Sequence, residues 1–308
     1  MNTAAILAIL NNNYSIRFNQ MELYRDGGSL SYIVFGNGKK YFLKIIRPVF
    51  IETAVQSIDL QLYLAKNNVP VPNIFFSKYM KPYVETFETD RKYLYILYEY
   101  IEGQEPDINI YAKDIGSLIG KYHKAMQSYN GKLSIRDKYF FIGRYIEILR
   151  KMQYPENKVI AFEKHGDHLW EKVNDLPRGY CHGDLYIGNI LQTQRGELYV
   201  TDFDTSCYAF PVYDIALVCN STNYFNFDKY GFQKTKEMVE PFLLGYQQFC
   251  TINDTERNSI FFFIAIYHYQ LQATIIEING LNCVDESFLD RQYDWLMKWA
   301  DECNNLGI

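Results

Sequence analysis

The sequence predicts an α+β fold with two lobes, a small β-rich N-terminal lobe with one helix and a larger, mostly helical C-terminal lobe. Strand patterns are concentrated in the first hundred residues, whereas the sequence after Gly103 repeats apolar residues at helical spacing. A chain of 308 residues is long enough for two well-filled cores. We therefore expect an N-terminal domain at residues 1–100 and a C-terminal domain at residues 101–308.

The N-terminal lobe is predicted to contain five strands and one helix. Three strands fill MELYRDGGSLSYIVFGNGKKYFLKII, because its Asp-Gly-Gly and Gly-Asn-Gly segments tolerate the positive φ angles of hairpin turns. The helix follows, with apolar residues at helical spacing from Ile51 to Ala65, and it must end before the prolines at residues 70–72. The other two strands are expected at residues 74–78 and 93–100.

The C-terminal lobe is predicted to be helical apart from one short hairpin. AKDIGSLIGKYHKAMQSY, most of FIGRYIEILRKM and almost all of the chain beyond Val218 have amphipathic helical patterns. The exception is a pair of short apolar segments, NILQ and LYVTDFD, joined by a turn near Gly196.

Composition argues against several classes of protein. A net charge of −5 is unsuited to nucleic acid, which needs a basic face. The six cysteines are scattered without a C-x-x-C pair, which is not the pattern of a zinc site or a disulfide scaffold and is typical of free thiols in the cytosol. AAILAIL lacks the basic lead-in of a signal peptide, and IFFFIAIYHY is shorter than the ~20 residues of a membrane span. We expect a cytoplasmic protein that binds neither membrane nor nucleic acid.

The tripeptide His-Gly-Asp occurs twice, beginning at His165 and at His182. The first copy lies in polar helical sequence, and we interpret it as a solvated helix or loop. In the second copy, Asp184 is followed five residues later by Asn189 and then by the predicted hairpin, which ends at Asp202. Only the second copy is therefore a candidate for catalysis.

The second copy has the residue types that phosphoryl transfer requires. Transfer from ATP needs a group that orients and deprotonates the acceptor hydroxyl, and two hard oxygen donors that hold Mg²⁺ on the phosphates. An Asp on a loop, an amide oxygen and a carboxylate after the next hairpin can converge on one point. Any one of them is usually an ordinary turn residue, but the ordered set is specific.

With these motifs the sequence resembles the superfamily of aminoglycoside phosphotransferases, choline kinases and homoserine kinases, which shares the protein-kinase-like fold. CHGDLYIGNIL resembles its catalytic loop and LYVTDFDTSCYAFPVYDIAL its metal-binding segment, and the resemblance covers essentially the whole chain. It implies that Asp184 is the catalytic base, while Asn189 and Asp202 are Mg²⁺ ligands. It also implies that Asp214 is a structural carboxylate supporting the catalytic loop, and that His182 fixes this loop.

The resemblance implies a nucleotide site in the N-terminal lobe. Lys44 lies in an apolar strand, where burial without a partner would be costly, and would pair with the phosphates. Phe42 shares its strand face by alternation and would stack on adenine, although ordinary core packing remains equally open. Glu99 and Ile101 would offer a backbone carbonyl and an N–H to adenine. Ser29, with the two glycines before it, is a candidate lid over the phosphates, although the turn is not a G-x-G-x-x-G motif.

One departure from the family concerns the helix after the lysine strand, where a Glu usually pairs with that lysine. The expected position falls near Ser57, with glutamines nearby. The nearest acids, Glu52 and Asp59, lie on other faces of the helix at 100° per residue. Either Glu52 serves in a shifted register, or Lys44 is held differently.

Candidate residues for the acceptor site lie in the last helices. The last helices carry acids beside aromatic residues, and such a surface could receive a polycationic aminoglycoside or a quaternary ammonium. An ordinary acidic helix face is the commoner explanation. The acids are Glu277, Asp285, Glu286, Asp290 and Asp294.

The sequence thus predicts a phosphotransferase that uses ATP, or GTP, with Mg²⁺ and phosphorylates a small-molecule hydroxyl. An aminoglycoside- or amino-sugar-like acceptor is the first choice. Two alternatives stay open: a protein Ser/Thr kinase similar to stress-response and spore-coat members of the superfamily, and a structural protein that keeps the kinase fold without turnover.

Overall fold

The computed structural model describes residues 2–27, 29–88 and 90–308. The helices in these ranges are α1 (Thr3–Asn13), α2 (Ile51–Lys66), α3 (Ile108–Met126), α4 (Arg144–Lys151), α5 (Glu156–Glu171), α6 (Pro211–Cys219), α7 (Lys229–Tyr246), α8 (Asp254–Asn279) and α9 (Glu286–Asn305). The strands are β1 (Phe18–Asp26), β2 (Ser29–Gly36), β3 (Lys39–Ile46), β4 (Ile74–Phe75), β5 (Val84–Glu88), β6 (Arg91–Glu99), β7 (Gly103–Gln104), β8 (Ser134–Ile135), β9 (Gly179–Cys181), β10 (Ile190–Thr193), β11 (Leu198–Val200) and β12 (Cys207–Ala209).

The chain divides into two compact units. The first consists of Met1–Pro106, Tyr129–Leu133 and Gly188–Thr205, and the rest of the chain from Asp107 onward forms the second. The hairpin of β10 and β11 therefore groups with the β-rich first unit, although it follows the second His-Gly-Asp motif in sequence. The domain boundary between residues 100 and 101 stays a prediction.

An antiparallel sheet forms the centre of the first unit, with the strand order β1-β2-β3-β6-β4 and β5 paired to β6. The predicted Gly-Asn-Gly turn joins β2 to β3. Asn37 and Gly38 at its tip have φ angles of 50° and 74°, the left-handed conformation that a two-residue hairpin requires. The other predicted turn includes Gly28, which lies outside the described residues.

Helices α1 and α2 supply apolar side chains to two different cores against this sheet. Ile6 and Leu10 of α1 are buried with Leu43 and other alternate residues of β3. Ala54 and Ile58 of α2 instead share a core with Ile46 and with Leu94 and Ile96 of β6. Because side chains alternate along a strand, Lys44 falls on the face of β3 that α2 covers.

Most predicted elements of the first unit are present with adjusted lengths. The strand expected at residues 74–78 is reduced to β4, and the one expected at residues 93–100 is β6. Helix α2 ends at Lys66, before the prolines, as predicted. Helix α1 and strand β5 were not predicted. The buried side chains of α1 pack against residues that are distant in sequence, and β5 forms by pairing with β6.

The second unit is mostly helical, with a small sheet in the order β8-β12-β9. Helices α3 and α7 pack with their backbones in close approach. A Cβ atom added to Gly116 would overlap the carbonyl of Phe242, and one added to Gly245 would overlap the carbonyl of Lys113.

Helix α8 is longer than the apolar run in the sequence suggested. It has 26 residues, and its most apolar 18-residue window has a mean hydropathy of 1.3, so it is long and apolar enough to cross a membrane. However, 67% of that window is buried inside the protein, as in the core helix of a soluble protein. Its buried residues include Phe263, Ile264 and Tyr269.

Candidate active site

Lys44 of β3 contacts two carboxylates in the segment after β11. Its Nζ lies 2.8 Å from Oδ1 of Asp202 and 2.6 Å from Oδ2 of Asp204. Lys44 is only 8% exposed. Burial lowers the pKa of Lys44, but the carboxylates of Asp204 and Asp202 outweigh this effect and hold the pKa above its ordinary value. Lys44 is therefore a charged side chain at neutral pH.

A sharp turn at Asp202 brings both carboxylates to the lysine. Asp202 has a φ of 64°, a conformation that is strained for a residue other than glycine and costs about 1–3 kcal/mol. The chain then enters a short 3₁₀ helix, Phe203–Thr205. The preceding backbone is held because Thr201 N–H donates to the carbonyl of Asn189 at 2.9 Å. Strained residues of this kind are common at functional sites.

Helix α2 presents neutral residues where the family usually has a Glu. Ser57 and Gln61 are buried, and the amide of Gln61 donates to the carbonyl of Pro72 at 2.6 Å. Glu52 and Asp59 are exposed to solvent. Of the two possibilities that the sequence left open, the structure shows the second, in which Lys44 is held by residues outside α2.

The oxygen donors predicted for Mg²⁺ both lie in the first unit. Asn189 is 6% exposed and precedes β10, while Asp202 follows β11, the partner strand of the same hairpin. Mg²⁺ is usually bound by one or two protein oxygens together with phosphates and water, so this donor pair fits the ion. Its assignment as a metal site stays a prediction.

The residues predicted to bind the nucleotide lie around the central sheet. Ser29 begins β2 and pairs with Ile46, and Phe42 packs edge-on to Tyr24 at a centroid distance of 5.5 Å. Glu99 ends β6, and its carboxylate accepts from the amide of Asn73 at 2.7 Å. Ile101 follows two residues later. The adenine contacts of Phe42, Glu99 and Ile101 and the lid role of Ser29 stay predictions, and the lid includes Gly28, which is outside the described residues.

The second unit contains the loop with Asp184, and Asp214 anchors its backbone. Oδ2 of Asp214 accepts from the N–H of His182 at 2.7 Å, and Oδ1 accepts from the N–H of Gly183 at 2.9 Å. Oδ2 also lies 3.1 Å from Nε2 of His123. Asp214 is fully buried in the first turn of α6, where the helix dipole favours negative charge. The structure thus shows the loop-supporting carboxylate that the resemblance implied.

Two other side chains hold the same loop. The N–H of Asp184 points to Nδ1 of His182 at 3.4 Å, so His182 contacts loop backbone, as expected for a residue that fixes the loop. Arg136, which is 8% exposed, donates to the carbonyl of Gly183 at 2.7 Å. The sequence did not point to Arg136 or His123, because neither stands in a motif and only the fold brings Arg136 to the loop and His123 to Asp214.

The first His-Gly-Asp copy has a different environment. It lies within α5, as predicted for a helix or loop, and Asp167 forms a half-exposed ion pair with Lys138 at 2.8 Å. His165 is more buried than expected, with Nδ1 2.9 Å from the hydroxyl of Tyr269. Burial lowers the pKa of His165 to about 4. These contacts explain the copy by helix packing alone.

Most acids of the last helices have partners within the protein. Glu277 pairs with Arg144 at 2.8 Å, and Lys158 lies 3.0 Å from Glu286 and 2.8 Å from Asp290. The carboxylate of Asp285 caps the N-terminus of α9. This arrangement favours the ordinary acidic helix face over a surface for polycations.

The phosphotransferase enzyme family APH has a model that matches residues 24–252. The chain belongs to this family. The predicted enzyme class, a phosphotransferase with an alcohol group as acceptor, is thereby confirmed.

One curated relative is the homoserine kinase of Zymomonas mobilis subsp. mobilis. It is 24% identical over 259 residues, which are 77% of this chain and 78% of the relative.

Solved structures confirm the predicted kinase-like fold. Amicoumacin kinase, in complex with AMP-PNP, Ca²⁺ and Ami, has a TM-score of 0.77 and 19% identity, and the match covers 98% of this chain and 94% of that one. The microcompartment-associated aminopropanol kinase has a TM-score of 0.72 and 15% identity, with 98% and 96% covered. Spectinomycin phosphotransferase with ADP has a TM-score of 0.65 and 13% identity, with 97% and 94% covered.

Proposed function

We propose that this protein transfers the γ-phosphate of ATP to a hydroxyl group of a small amine-bearing alcohol, with Mg²⁺ as cofactor. The observation that carries this proposal is the ion pair of Lys44 with Asp202, two residues 158 positions apart in sequence. A lysine for the phosphates and a carboxylate for the metal ion are two parts of a kinase nucleotide site, and the fold brings candidates for both together.

The proposed reaction is an in-line displacement at the γ-phosphorus. The acceptor oxygen forms a bond to phosphorus, the bond to the β-phosphate oxygen breaks, and ADP leaves. The hydroxyl proton passes to the carboxylate of Asp184, whose loop is held by Asp214 and Arg136. Asn189 and Asp202 would hold Mg²⁺, which neutralises charge on the phosphate oxygens when bound. Lys44 would pair with the α- and β-phosphates.

The names of the similar proteins support the acceptor class. Aminopropanol and homoserine, the acceptors named for two of them, each combine an amine with a hydroxyl group. Spectinomycin, named for a third, is an antibiotic with the same two groups on a larger scaffold. An aminoglycoside- or amino-sugar-like acceptor stays the first class to test, and the small amino alcohols are the second.

The test is ADP release from ATP or GTP with Mg²⁺ and a panel of acceptors, namely aminoglycosides, spectinomycin, amino sugars, homoserine and aminopropanol. Acceptor-dependent release that Asp184→Ala abolishes is the expected result. Nucleotide binding without release by any acceptor would contradict the proposal. Labelled phosphate transferred to protein in a cell extract would instead favour the protein kinase alternative.

A further inference from the structure

We propose that Asp204 is the positioning residue of Lys44 and replaces the glutamate that the family usually carries on the following helix. This inference rests on the proposed phosphotransferase function. In this role Asp204 keeps the buried ammonium of Lys44 charged and directed toward the nucleotide, while the carboxylate of Asp202 binds the metal ion.

Helix α2 has no carboxylate that can take this role. Ser57, the residue nearest the expected position, is 3% exposed, and its hydroxyl donates to the carbonyl of Ala54 at 3.1 Å. Gln61, one turn later, is 5% exposed, and its side-chain amide donates a hydrogen bond to the carbonyl of Pro72. The buried face of α2 in this region is therefore polar but neutral.

The 3₁₀ helix after Asp202 packs against α2 and supplies the missing charge. Phe203 is buried at 2% exposure, which anchors this short helix. Asp204 is the next residue of the same 3₁₀ helix, and its carboxylate lies 2.6 Å from Nζ of Lys44. The Asp204 side chain is 32% exposed, compared with 45% for Asp202. The better-buried carboxylate is thus also the one nearer the lysine.

Two carboxylates around one lysine permit a division of roles. Asp202 is the proposed metal ligand, and an oxygen that coordinates a cation is no longer fully available to Lys44. Asp204 is the carboxylate that then remains for Lys44. Without it, the nearly buried ammonium of Lys44 would lose its remaining carboxylate partner, and removing one partner of a buried ion pair is strongly unfavourable.

The first experiment is a double-mutant cycle of Lys44→Met and Asp204→Asn, read out as the dissociation constant of ATP with and without Mg²⁺. If Asp204 acts through Lys44, Asp204→Asn weakens ATP binding about tenfold in the wild type but less than about twofold beside Lys44→Met, because coupled residues are not additive. The exposed Asp59→Asn on α2 is the matched control and leaves binding unchanged. Equal losses in both backgrounds would show that Asp204 acts independently of Lys44, for example as a metal ligand, and would overturn the inference.

A second experiment moves the charge back to the helix. Ser57→Glu in the Asp204→Asn variant should recover at least about half of the lost binding free energy, whereas Ser57→Gln should not. Melting temperatures identify any variant that does not fold, and in that case the cycle alone decides. If the wild type fails to bind ATP, the proposed function fails; if it binds ATP and the cycle shows no coupling, only this inference fails.

Discussion

At the scale of single residues, the predicted base and the predicted metal ligand are positioned by different means. Asp184 lies in a loop whose backbone is fixed by hydrogen bonds to Asp214 and Arg136. Asp202 is presented by its own strained backbone and contacts Lys44. Substitutions at these positions are therefore expected to separate chemistry from nucleotide binding.

Asp184→Ala is expected to keep ATP binding and to lose transfer about 10²–10⁴-fold, the typical contribution of a general base. Asp202→Ala is expected to lose Mg²⁺-dependent binding. The measurements are ADP release and the ligand-induced rise in melting temperature. Asp167→Ala is the matched control, because this Asp has the same tripeptide context but forms a surface pair with Lys138. Full turnover in Asp184→Ala, or a large loss in Asp167→Ala, would contradict the assignment.

Asp214→Asn is expected to destabilise the protein by about 3 kcal/mol and to lower turnover. The substitution removes a fully buried carboxylate whose two oxygens accept hydrogen bonds from two backbone N–H groups. An asparagine has only one side-chain oxygen and cannot accept both. Urea denaturation measures the free energy of unfolding, with the exposed Asp294→Asn as control. A change below about 1 kcal/mol would show that the loop does not depend on this carboxylate.

At the scale of elements, the close approach of α3 and α7 depends on glycine residues in both helices. Gly116 and Gly120 of α3 and Gly245 of α7 each leave no room for a Cβ atom, because backbone carbonyls of the partner helix stand there. Neither backbone can give way without moving a whole helix.

Gly245→Ala is therefore expected to lower the free energy of unfolding by more than about 2 kcal/mol, although alanine favours helix more than glycine does. Thermal or urea denaturation provides the measurement. Leu244→Ala, at a neighbouring position of α7 that is 64% exposed, is the control and should change little. A stabilising Gly245→Ala would mean that the helices are farther apart than the structure shows.

At the scale of the whole molecule, buried histidines connect stability to pH. His268 is fully buried and stacks on Trp295 at a centroid distance of 4.4 Å. Burial lowers the pKa of His268 from 6.5 to about 3. The folded protein keeps this ring neutral, whereas the unfolded chain takes up a proton below about pH 6.5. Stability from this residue is therefore present above that pH and is lost as the pH falls.

From pH 7 to pH 5, His268 alone is expected to lower the free energy of unfolding by about 2 kcal/mol. His268→Phe keeps an aromatic ring against Trp295 and should reduce the acid loss by that amount. Urea denaturation at several pH values measures it, with the exposed His168→Gln as control. An equally steep acid loss in His268→Phe would exclude His268 as its source.

Local patterns in the sequence were sufficient for the α+β class, most strands of the first unit and the end of α2, whereas the choice of the second His-Gly-Asp copy for catalysis stays a prediction. Alternation, helical spacing, turn residues and motif order are properties of neighbouring residues, so they can be read without the fold. The family resemblance also identified Lys44, Asp184, Asn189 and Asp202 as candidates.

Only the tertiary structure showed which side chains hold these candidates in place. Asp204 reaches Lys44 from a position 160 residues later, Arg136 reaches the loop that contains Asp184, and His123 reaches Asp214. The absence of a suitable acid on α2 raised the question of what holds Lys44 but could not answer it. Partners of buried charges are selected by proximity in the folded chain, and sequence spacing carries no information about that proximity once the chain has turned back on itself.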